Sequence, residues 1–376
     1  MPRILIVTGE ASGDLHGANL AYALRGLCPS VDLMGVGGAQ MQAAGVVLLP
    51  GLDRLDIIGM PGHGQLVAAA RTYFALARFL KQTPLDAVVF IDHPGLNLRL
   101  ARVAKRAGHR VVYYIAPQIW AWHPGRIRLI SRVVDQMIVI LPFEEELYRK
   151  AGVPCHFVGH PLLDSVAPSY DRDELRKQFE IEGSAPVIGL LPGSREREVR
   201  MLLPVMLQAA GRLSKLYDGL QFVLAQAASI PTGLIDELLA GTDVAVRVVK
   251  DQSSEVMAVS NLLLVASGTA TLQAAVVGTP MVLVYRLSWL NYWLIRSVIR
   301  VDCIGLVNLV AGRKIVPELI QRDASVERLI EEGARLLGDK DAYNEMCAGL
   351  QAVRESLGSP GASKRAAETV LSRCGP

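Results

Sequence analysis

The chain of 376 residues and 40.7 kDa is longer than one hydrophobic core usually organises, which predicts two domains. Hydrophobic residues make up 51% of it and charged residues 20%, so a mainly disordered chain is excluded. A net charge of +3 is too even for a dedicated nucleic-acid-binding protein, and five scattered cysteines without metal-ligand spacing favour a reducing compartment.

The first half alternates short apolar runs with stretches of helical length, the pattern of parallel strands joined by crossover helices. The predicted strands are Ile4–Thr8, Val31–Val36, Val46–Leu49, Ala87–Asp92, Arg110–Ala116, Gln136–Leu141 and Cys155–Val158. The alternation stops over 166–184, where polar and proline residues indicate an interdomain linker. The sequence therefore predicts an N-terminal Rossmann-like domain over 1–165.

A second series of strands follows the linker and predicts a C-terminal Rossmann-like domain over 185–345. Its predicted strands are Val187–Leu191, Gln221–Ala225, Val244–Val249, Leu262–Ala266 and Met281–Tyr285. The uncharged run over 256–285 is long enough to span a bilayer, but its Gly-Thr turns favour a buried strand, helix and strand. Residues 346–376 are predicted to form helices that pack back on the first domain, the last of them over 361–372.

Ligands of open parallel sheets lie at the carboxyl ends of the strands, so the loops there are the candidates for a site. The first strand opens into a glycine-rich loop that holds Glu10, Ser12 and Asp14, with a spacing that does not fit the dinucleotide motif. Glu10 and Asp14 fit either ligand contacts or turn and cap positions. Asp92 ends an apolar strand as an isolated carboxylate, which favours a general base; the alternative is a turn in which Asn97 caps the next helix.

The loop after the fifth strand carries Gln118 and Trp120, beside the basic segments that flank it. An aromatic side chain there suits a wall for a sugar ring or an apolar ligand, and equally a packing contact beneath the next helix. Residues 1–165 hold 16 Lys and Arg against 12 Asp and Glu. This excess fits either a solvated helix face or an anionic lipid surface as the partner.

Two glycine-rich turns in the second half each follow a strand and open a helix, which predicts a pyrophosphate site that needs no metal. The backbone amides and hydroxyls of these turns would bind the phosphates, and one guanidinium would clamp them. The residues are Gly193, Ser194, Arg195, Ser267, Gly268, Thr269, Ala270, Thr271 and Gln273. The histidines show no paired spacing, so no metal centre is predicted.

Seven separated motifs together resemble the bacterial lipid-A-disaccharide synthase family. These are inverting glycosyltransferases of the GT-B fold, in which two Rossmann-like domains face a cleft. The motifs are Gly-Glu-Ala-Ser-Gly-Asp at 9–14, Ile-Asp-His-Pro-Gly-Leu-Asn at 91–97, Pro-Gln-Ile-Trp-Ala-Trp at 117–122, Phe-Val-Gly-His-Pro at 157–161, Leu-Leu-Pro-Gly-Ser-Arg at 190–195, Ser-Gly-Thr-Ala-Thr-Leu at 267–272 and Asn-Leu-Val-Ala-Gly-Arg at 308–313.

The resemblance implies transfer of 2,3-diacylglucosamine from UDP to 2,3-diacylglucosamine 1-phosphate (lipid X), without a cofactor or metal. The products would be UDP and the β-1,6-linked disaccharide 1-phosphate of lipid A and lipopolysaccharide biosynthesis. It also implies a cytoplasmic protein that binds the inner face of the inner membrane peripherally, with a homodimer left open. No nucleic acid is expected as a partner.

By the same resemblance Asp92 is the base, Glu10 a carboxylate of the acceptor side, and Arg195 with the Gly268–Thr271 turn the UDP site. The residues of the late loop that would face the cleft are Asn308, Arg313, Glu318 and Gln321. Gln273 stands where the family commonly has Glu, and the segment 59–66 departs from the usual pattern. Two alternatives remain: an enzyme like UDP-N-acetylglucosamine 2-epimerase, and a non-catalytic protein that binds nucleotide or anionic lipid.

Overall fold

The structure, a computed structural model, describes residues 1–9, 11–52, 63–120, 124–286 and 303–374. The chain divides into two compact units. The first unit is Met1–Pro161 together with Leu357–Pro376, and the second is Leu162–Ser356. Each unit is an open parallel sheet with helices, which is the α/β class predicted from the sequence.

The first unit contains a seven-stranded parallel sheet with the order β3-β2-β1-β4-β5-β6-β7. The strands are β1 Arg3–Val7, β2 Asp32–Val36, β3 Val47–Leu48, β4 Ala87–Ile91, β5 Arg110–Tyr114, β6 Gln136–Val139 and β7 Cys155–Phe157. The helices up to the end of β7 are α1 Ala11–Leu27, α2 Ala39–Ala43, α3 His63–Gln82, α4 Pro94–Arg106, α5 Ile127–Val133 and α6 Pro142–Lys150.

Helices cover both faces of this sheet, which is why its strands are apolar runs without alternation. In β4, Val88 and Phe90 belong to one apolar cluster with residues of α3, α4 and α5. Their neighbours Val89 and Ile91 belong to the other cluster, with residues of α1. The carboxyl end of β4 is therefore held by packing on both sides, so the residue that follows it starts from a fixed position.

The second unit contains a six-stranded parallel sheet with the order β10-β9-β8-β11-β12-β13. The strands are β8 Val187–Leu191, β9 Gln221–Gln226, β10 Val246–Lys250, β11 Leu262–Ala266, β12 Met281–Tyr285 and β13 Glu318–Ile320. The helices are α7 Leu162–Ser165, α8 Arg172–Gln178, α9 Glu196–Leu213, α10 Thr232–Leu239, α11 Ser253–Val259, α12 Thr269–Val277, α13 Leu306–Ala311, α14 Val326–Gly338 and α15 Lys340–Ser356. Within the unit this is the strand order of dinucleotide-binding domains.

The uncharged run over 256–285 forms the end of α11, β11, α12 and β12, as predicted. Among the described residues, no helix combines the length and apolar character needed to cross a bilayer. The three-residue strand β13 was not predicted. The predicted linker contains α8, whose N-cap Asp171 accepts the backbone N–H groups of Asp173 and Glu174.

The C-terminal helices divide between the two units, which differs from the prediction that residues 346–376 all pack on the first domain. Helix α15 packs against α12, α13 and α14 and so belongs to the second unit. Only the last helix, α16 Ala362–Leu371, belongs to the first unit, where it packs against α1. The returning chain lies beside the Phe-Val-Gly-His-Pro motif, where Arg365 Nε donates to the Val158 carbonyl at 2.8 Å.

Gly159 of that motif has a φ of +81°, and an added Cβ would lie 3.1 Å from the Ser359 carbonyl oxygen. The His160 amide donates to the Leu357 carbonyl at 2.9 Å. This motif therefore needs glycine because the returning C-terminal segment passes directly over its backbone.

Candidate active site

Several of the predicted site residues lie at the two switch points, where each sheet reverses its winding. In the first sheet β1 and β4 are neighbours, and the loops after them carry Ser12 and Asp92. In the second sheet β8 and β11 are neighbours, and the loops after them carry Arg195 and Gly268. Open α/β sheets bind ligands at such crevices, so each unit presents one binding edge.

Asp92 directly follows β4 and is half-buried. Its φ is +48° and that of His93 is +43°, so two consecutive non-glycine residues have left-handed backbone conformations. Each costs about 1–2 kcal/mol, and such strain persists only where the surroundings hold it. The general base predicted from the sequence thus lies at a strained strand end.

Asn97, in the first turn of α4, holds this turn in place. Its Nδ2 donates to the carbonyls of Ile91, at 3.0 Å, and Asp92, at 2.9 Å. The Tyr113 hydroxyl also donates to the Asp92 carbonyl. Burial raises the pKa of Tyr113 well above its usual value, and the charge of Asp92 adds to the rise, so this hydroxyl remains a proton donor.

The glycine-rich loop after β1 serves packing as well as the site. Glu10 lies outside the described residues, and Ser12 is exposed in the first turn of α1. An added Cβ on Gly17 would lie 2.6 Å from Met41 Sδ, and one on Gly13 would lie 3.1 Å from Thr8 Cβ. The spacing of four places both glycines on the face of α1 that packs closely against Thr8 and Met41.

Asp14 has a structural role in place of the predicted acceptor contact. Its side chain is 5% exposed. Its two carboxylate oxygens accept the backbone N–H groups of Gly38, Gln40 and Met41 at 2.7 to 3.1 Å. These bonds satisfy the N-terminus of α2, so the cap interpretation of this residue accounts for its partners.

The aromatic loop after β5 leaves Gln118 exposed and anchors Trp120. The Trp120 indole Nε1 donates to Glu144 Oε1 at 3.0 Å. The indole also makes an edge-to-face contact with Phe143, with ring centroids 5.2 Å apart. Trp122 lies outside the described residues. Trp120 is therefore held in a fixed position beside the switch point, with part of its surface exposed.

Glu144, in the first turn of α6, is a buried acid that sequence reasoning missed. It is 2% exposed, and burial raises the pKa of its carboxyl to about 8. The bonds from Trp120 and the Leu141 backbone oppose the rise, and the charge of Asp92 adds to it. The sequence shows three consecutive glutamates at 144–146, and nothing in it indicates which of them is buried.

Replacing Glu144 with Gln should stabilise the protein increasingly as pH rises. Below the unfolded-state value near 4.5 the carboxyl is neutral in both states, whereas between 4.5 and about 8 only the unfolded chain ionises. Stability contributed by this group is therefore lost with rising pH, by about 1.4 kcal/mol per pH unit. Urea midpoints of Glu144→Gln and the native chain should be close at pH 5 and diverge by pH 8.

The matched control is Glu146→Gln, on the same helix but exposed and paired with Lys150 at 2.6 Å. Its midpoint should follow that of the native chain across this pH range, because its carboxylate is charged throughout. A difference between Glu144→Gln and the native chain that stays constant from pH 5 to pH 8 would show that Glu144 is ionised in the folded protein.

A pair of histidines lies in the same unit, His16 on α1 and His160 after β7. Burial lowers the pKa of His160 to about 4, and the nearby His16 contributes to the shift. Burial also lowers the pKa of His16. Both imidazoles are therefore neutral at neutral pH.

In the second unit, the turn after β8 places a guanidinium at the start of α9. Gly193 has a φ of +114°, which favours glycine, and the Ser194 carbonyl accepts the Ser229 hydroxyl at 2.6 Å. The Arg195 side chain is 80% exposed, and its Nη1 donates to Glu198 Oε1 at 2.8 Å. Burial raises the pKa of Tyr285; the Glu198 carboxylate adds to the rise and Arg195 opposes it. Arg195 thus lies near the carboxyl ends of β8 and β12, the two strands that flank β11 in the sheet.

The turn after β11 provides an open helix N-terminus. Gly268 is the N-cap of α12 with φ +145° and ψ −160°, and an added Cβ there would meet nothing within 4 Å. Ser267, Thr269 and Ala270 are partly or fully exposed around it. The Thr271 hydroxyl donates to the Gly268 carbonyl at 2.8 Å, so it fixes the turn. The first backbone N–H groups of α12 are oriented for an anion.

Gln273 lies on the second turn of α12. Its Nε2 donates to the hydroxyls of Ser253, at 3.1 Å, and Ser254, at 2.7 Å, at the start of α11. The predicted donor-site residues of the second unit therefore share one sheet edge, the carboxyl ends of β8, β11 and β12.

A family model described as Lipid-A-disaccharide synthetase matches residues 4–370. The chain belongs to the lipid-A-disaccharide synthase family. Lipid-A-disaccharide synthase of Geobacter sulfurreducens is 43% identical over 374 residues, which cover 99% of this chain and 97% of that protein. The enzyme of Geobacter metallireducens is 44% identical over 376 residues, with the same coverage of both chains.

Solved structures with the same fold include an epimerase and a glycosyltransferase. UDP-GlcNAc 2-epimerase from Neisseria meningitidis, bound to UDP-GlcNAc, superposes with a TM-score of 0.66 at 15% identity and covers 98% of this chain and 100% of that one. The calicheamicin glycosyltransferase CalG4 has a TM-score of 0.61 at 16% identity, with 100% coverage of both chains. At these identities the likeness shows the fold alone, so family membership separates the synthase from the epimerase alternative.

Two of the four predicted cleft residues, Asn308 and Glu318, form a structural network in the late loop. Asn308 is fully buried; its Nδ2 donates to the Val316 carbonyl and Glu318 Oε1, and its Oδ1 accepts the N–H groups of Ile315 and Val316. Glu318 also accepts the amides of Ile304 and Gly305, both at 2.9 Å. These bonds connect α13 and the two residues before it to β13 and the residues that lead into it, so the side chains of Asn308 and Glu318 stabilise the fold.

Two further residues of this loop keep accessible positions. Arg313 is exposed in the connection that leads into β13. Gln321 directly follows β13 with φ +56°, and its amide donates to the Tyr285 carbonyl at 2.9 Å. Of the four predicted residues, Gln321 is thus the one at the carboxyl edge of the sheet.

Proposed function

We propose that this chain transfers 2,3-diacylglucosamine from UDP to the 6-hydroxyl of lipid X with inversion, giving the β-1,6-linked disaccharide 1-phosphate and UDP. The observation that carries the proposal is the position of Asp92, at the switch point of a chain that matches the synthase family over nearly its whole length. Inversion by one displacement needs a single base to take the proton of the attacking hydroxyl. Asp92 is proposed to be that base.

The second unit is proposed to bind UDP and to stabilise the charge of the departing pyrophosphate. The open N-terminus of α12 supplies backbone N–H donors and a favourable dipole, and Arg195 supplies a guanidinium. Such preorganised donors act most strongly in the transition state, where the leaving group gains charge. The Gln273 amide oxygen remains a chemically suitable acceptor for a ribose hydroxyl, although it is neutral.

We propose that this chemistry needs no metal ion, since the positive charge at the pyrophosphate comes from backbone N–H groups and Arg195. The test is incubation of the purified protein with UDP-2,3-diacylglucosamine and lipid X in excess EDTA. Disaccharide and UDP in equal amounts are expected. A 2-epimer of the donor would support the epimerase alternative, and an unchanged mixture would support a binding protein. Activity that is lost with EDTA and restored by magnesium would overturn metal independence.

Peripheral binding to an anionic membrane is part of the proposal, supported by one cationic surface of the first unit. Residues 93–134 contain no Asp or Glu, and helices α4 and α5, which both lie in this segment, pack side by side. Arg99, Arg102 and Arg106 are exposed at a spacing that places them on one face of α4. Each basic residue near an anionic lipid surface contributes about 1 kcal/mol.

The triple variant Arg99→Gln, Arg102→Gln, Arg106→Gln should bind anionic vesicles about 100-fold more weakly, because roughly 3 kcal/mol of attraction is removed. The measurement is co-sedimentation with phosphatidylglycerol-containing vesicles, compared with vesicles of phosphatidylcholine alone.

The control for this variant removes the same charge elsewhere, at exposed lysines, as Lys215→Gln, Lys250→Gln, Lys364→Gln. Its vesicle binding should stay close to that of the native chain. Equal losses in both triple variants would mean that net charge rather than the α4 surface sets membrane affinity.

A further inference from the structure

The backbone of the turn that presents Asp92 accepts hydrogen bonds at two of its carbonyl groups. Two consecutive left-handed residues, Asp92 and His93, would relax toward ordinary conformations in an isolated chain. In the folded unit the Asp92 carbonyl accepts two hydrogen bonds, from Asn97 Nδ2 and from the Tyr113 hydroxyl. The Ile91 carbonyl accepts a third, again from Asn97.

Both donors are themselves immobile. Asn97 is 1% exposed and Tyr113 is 0% exposed. Tyr113 lies in β5, paired with β4 in a register that places it opposite Phe90, and Asn97 lies in the first turn of α4. Strand β5 and helix α4 therefore each supply one donor to the Asp92 carbonyl. Residues of both elements belong to one apolar cluster.

We propose that Asn97 and Tyr113 are positioning residues that orient Asp92 for proton abstraction by fixing its backbone carbonyl. This rests on the proposed role of Asp92 as the base. With the carbonyl fixed, the Cα–Cβ bond of Asp92 leaves the strand end in one direction, so the carboxylate meets the acceptor hydroxyl in a narrow range of geometries. A misplacement of about 1 Å costs on the order of 100-fold in rate.

The minimal test is Tyr113→Phe, which removes one hydroxyl and keeps the buried ring. We expect kcat to fall about 10-fold, with KM for both substrates and the Kd for UDP unchanged, because one of the two bonds to the Asp92 carbonyl remains. Asn97→Ala, which removes the other bond and that to Ile91, should lower kcat further while UDP still binds.

The control is Tyr217→Phe, whose hydroxyl donates to the Ala334 carbonyl at 3.1 Å in the second unit. Each Tyr→Phe variant loses one hydroxyl hydrogen bond and some stability, but only Tyr113→Phe should lose turnover. Equal kcat values for the two variants would overturn the proposal.

The second readout is the double variant Asp92→Asn, Tyr113→Phe. If Tyr113 acts through Asp92, its replacement should not lower the residual rate of Asp92→Asn further, because the two residues work as a unit. If Tyr113→Phe lowers the rate by the same factor in the native chain and in Asp92→Asn, the positioning role of Tyr113 is overturned. The assignment of Asp92 as the base would then still stand. Undiminished turnover in Asp92→Asn alone would instead remove the base assignment itself, so the two failures are distinguishable.

Discussion

Asp92→Asn should lower kcat about 1,000-fold while the affinity for UDP stays unchanged. Asparagine keeps the shape of the side chain but cannot take a proton, and general base catalysis contributes about 100- to 10,000-fold. The UDP affinity should persist because the proposed nucleotide residues belong to the second unit. Turnover is measured by UDP release and UDP binding by calorimetry.

The matched control for this variant is Asp86→Asn, since Asp86 precedes the same strand at its amino end, where it accepts the Arg3 amide at 2.7 Å. It should keep turnover within about two-fold, because ligands of parallel sheets lie at the carboxyl ends. Similar losses in both variants would indicate damage to β4 rather than the loss of a base. Full turnover in Asp92→Asn would refute the assignment.

Arg195→Ala should weaken UDP binding about 10- to 100-fold and also slow turnover. A hydrogen bond to a charged group is worth about 1.5–3 kcal/mol, and this guanidinium is the cation placed at the start of α9 beside the open turn of α12. The loss should extend to kcat because the pyrophosphate gains charge as it departs.

Arg197→Ala is the control for Arg195, two residues further along α9 and also exposed. It changes the net charge equally, so a general electrostatic effect would appear in both variants. The UDP affinity and turnover of Arg197→Ala should both stay close to those of the native chain. Native UDP affinity and rate in Arg195→Ala would exclude the clamp.

The periodic apolar runs predicted most of the fold because buried parallel strands carry a strong sequence signal. The strands β4, β8, β11 and β12 all lie within one residue of their predicted ends. The strand β13 was not predicted because it has only three residues and begins with a charged residue, Glu318. This side chain is buried in the fold, where it accepts three hydrogen bonds. Such a network cannot be seen in a linear pattern.

The position of the candidate site could be predicted because strand ends and glycine-rich turns indicate it. The role of each polar residue could not be predicted from the sequence. Asp14 and Asn308 occur in motifs that resemble the family, and Glu318 lies in the late loop, yet the side chains of all three bond nearby backbone groups. Only three-dimensional contacts distinguish such residues from Asp92. Glu144 shows the opposite case, because its burial against Trp120 depends on the packing of α6 and not on its sequence neighbours.

The most direct test of the account is the anomeric configuration of the new glycosidic bond, measured by NMR on the isolated product. The proposed role of Asp92, a general base toward the acceptor hydroxyl, implies a single displacement at the sugar. The account therefore predicts that the α-linked donor gives only the β-1,6 linkage. An α linkage would require a covalent intermediate or a second displacement, and would contradict the role assigned to Asp92.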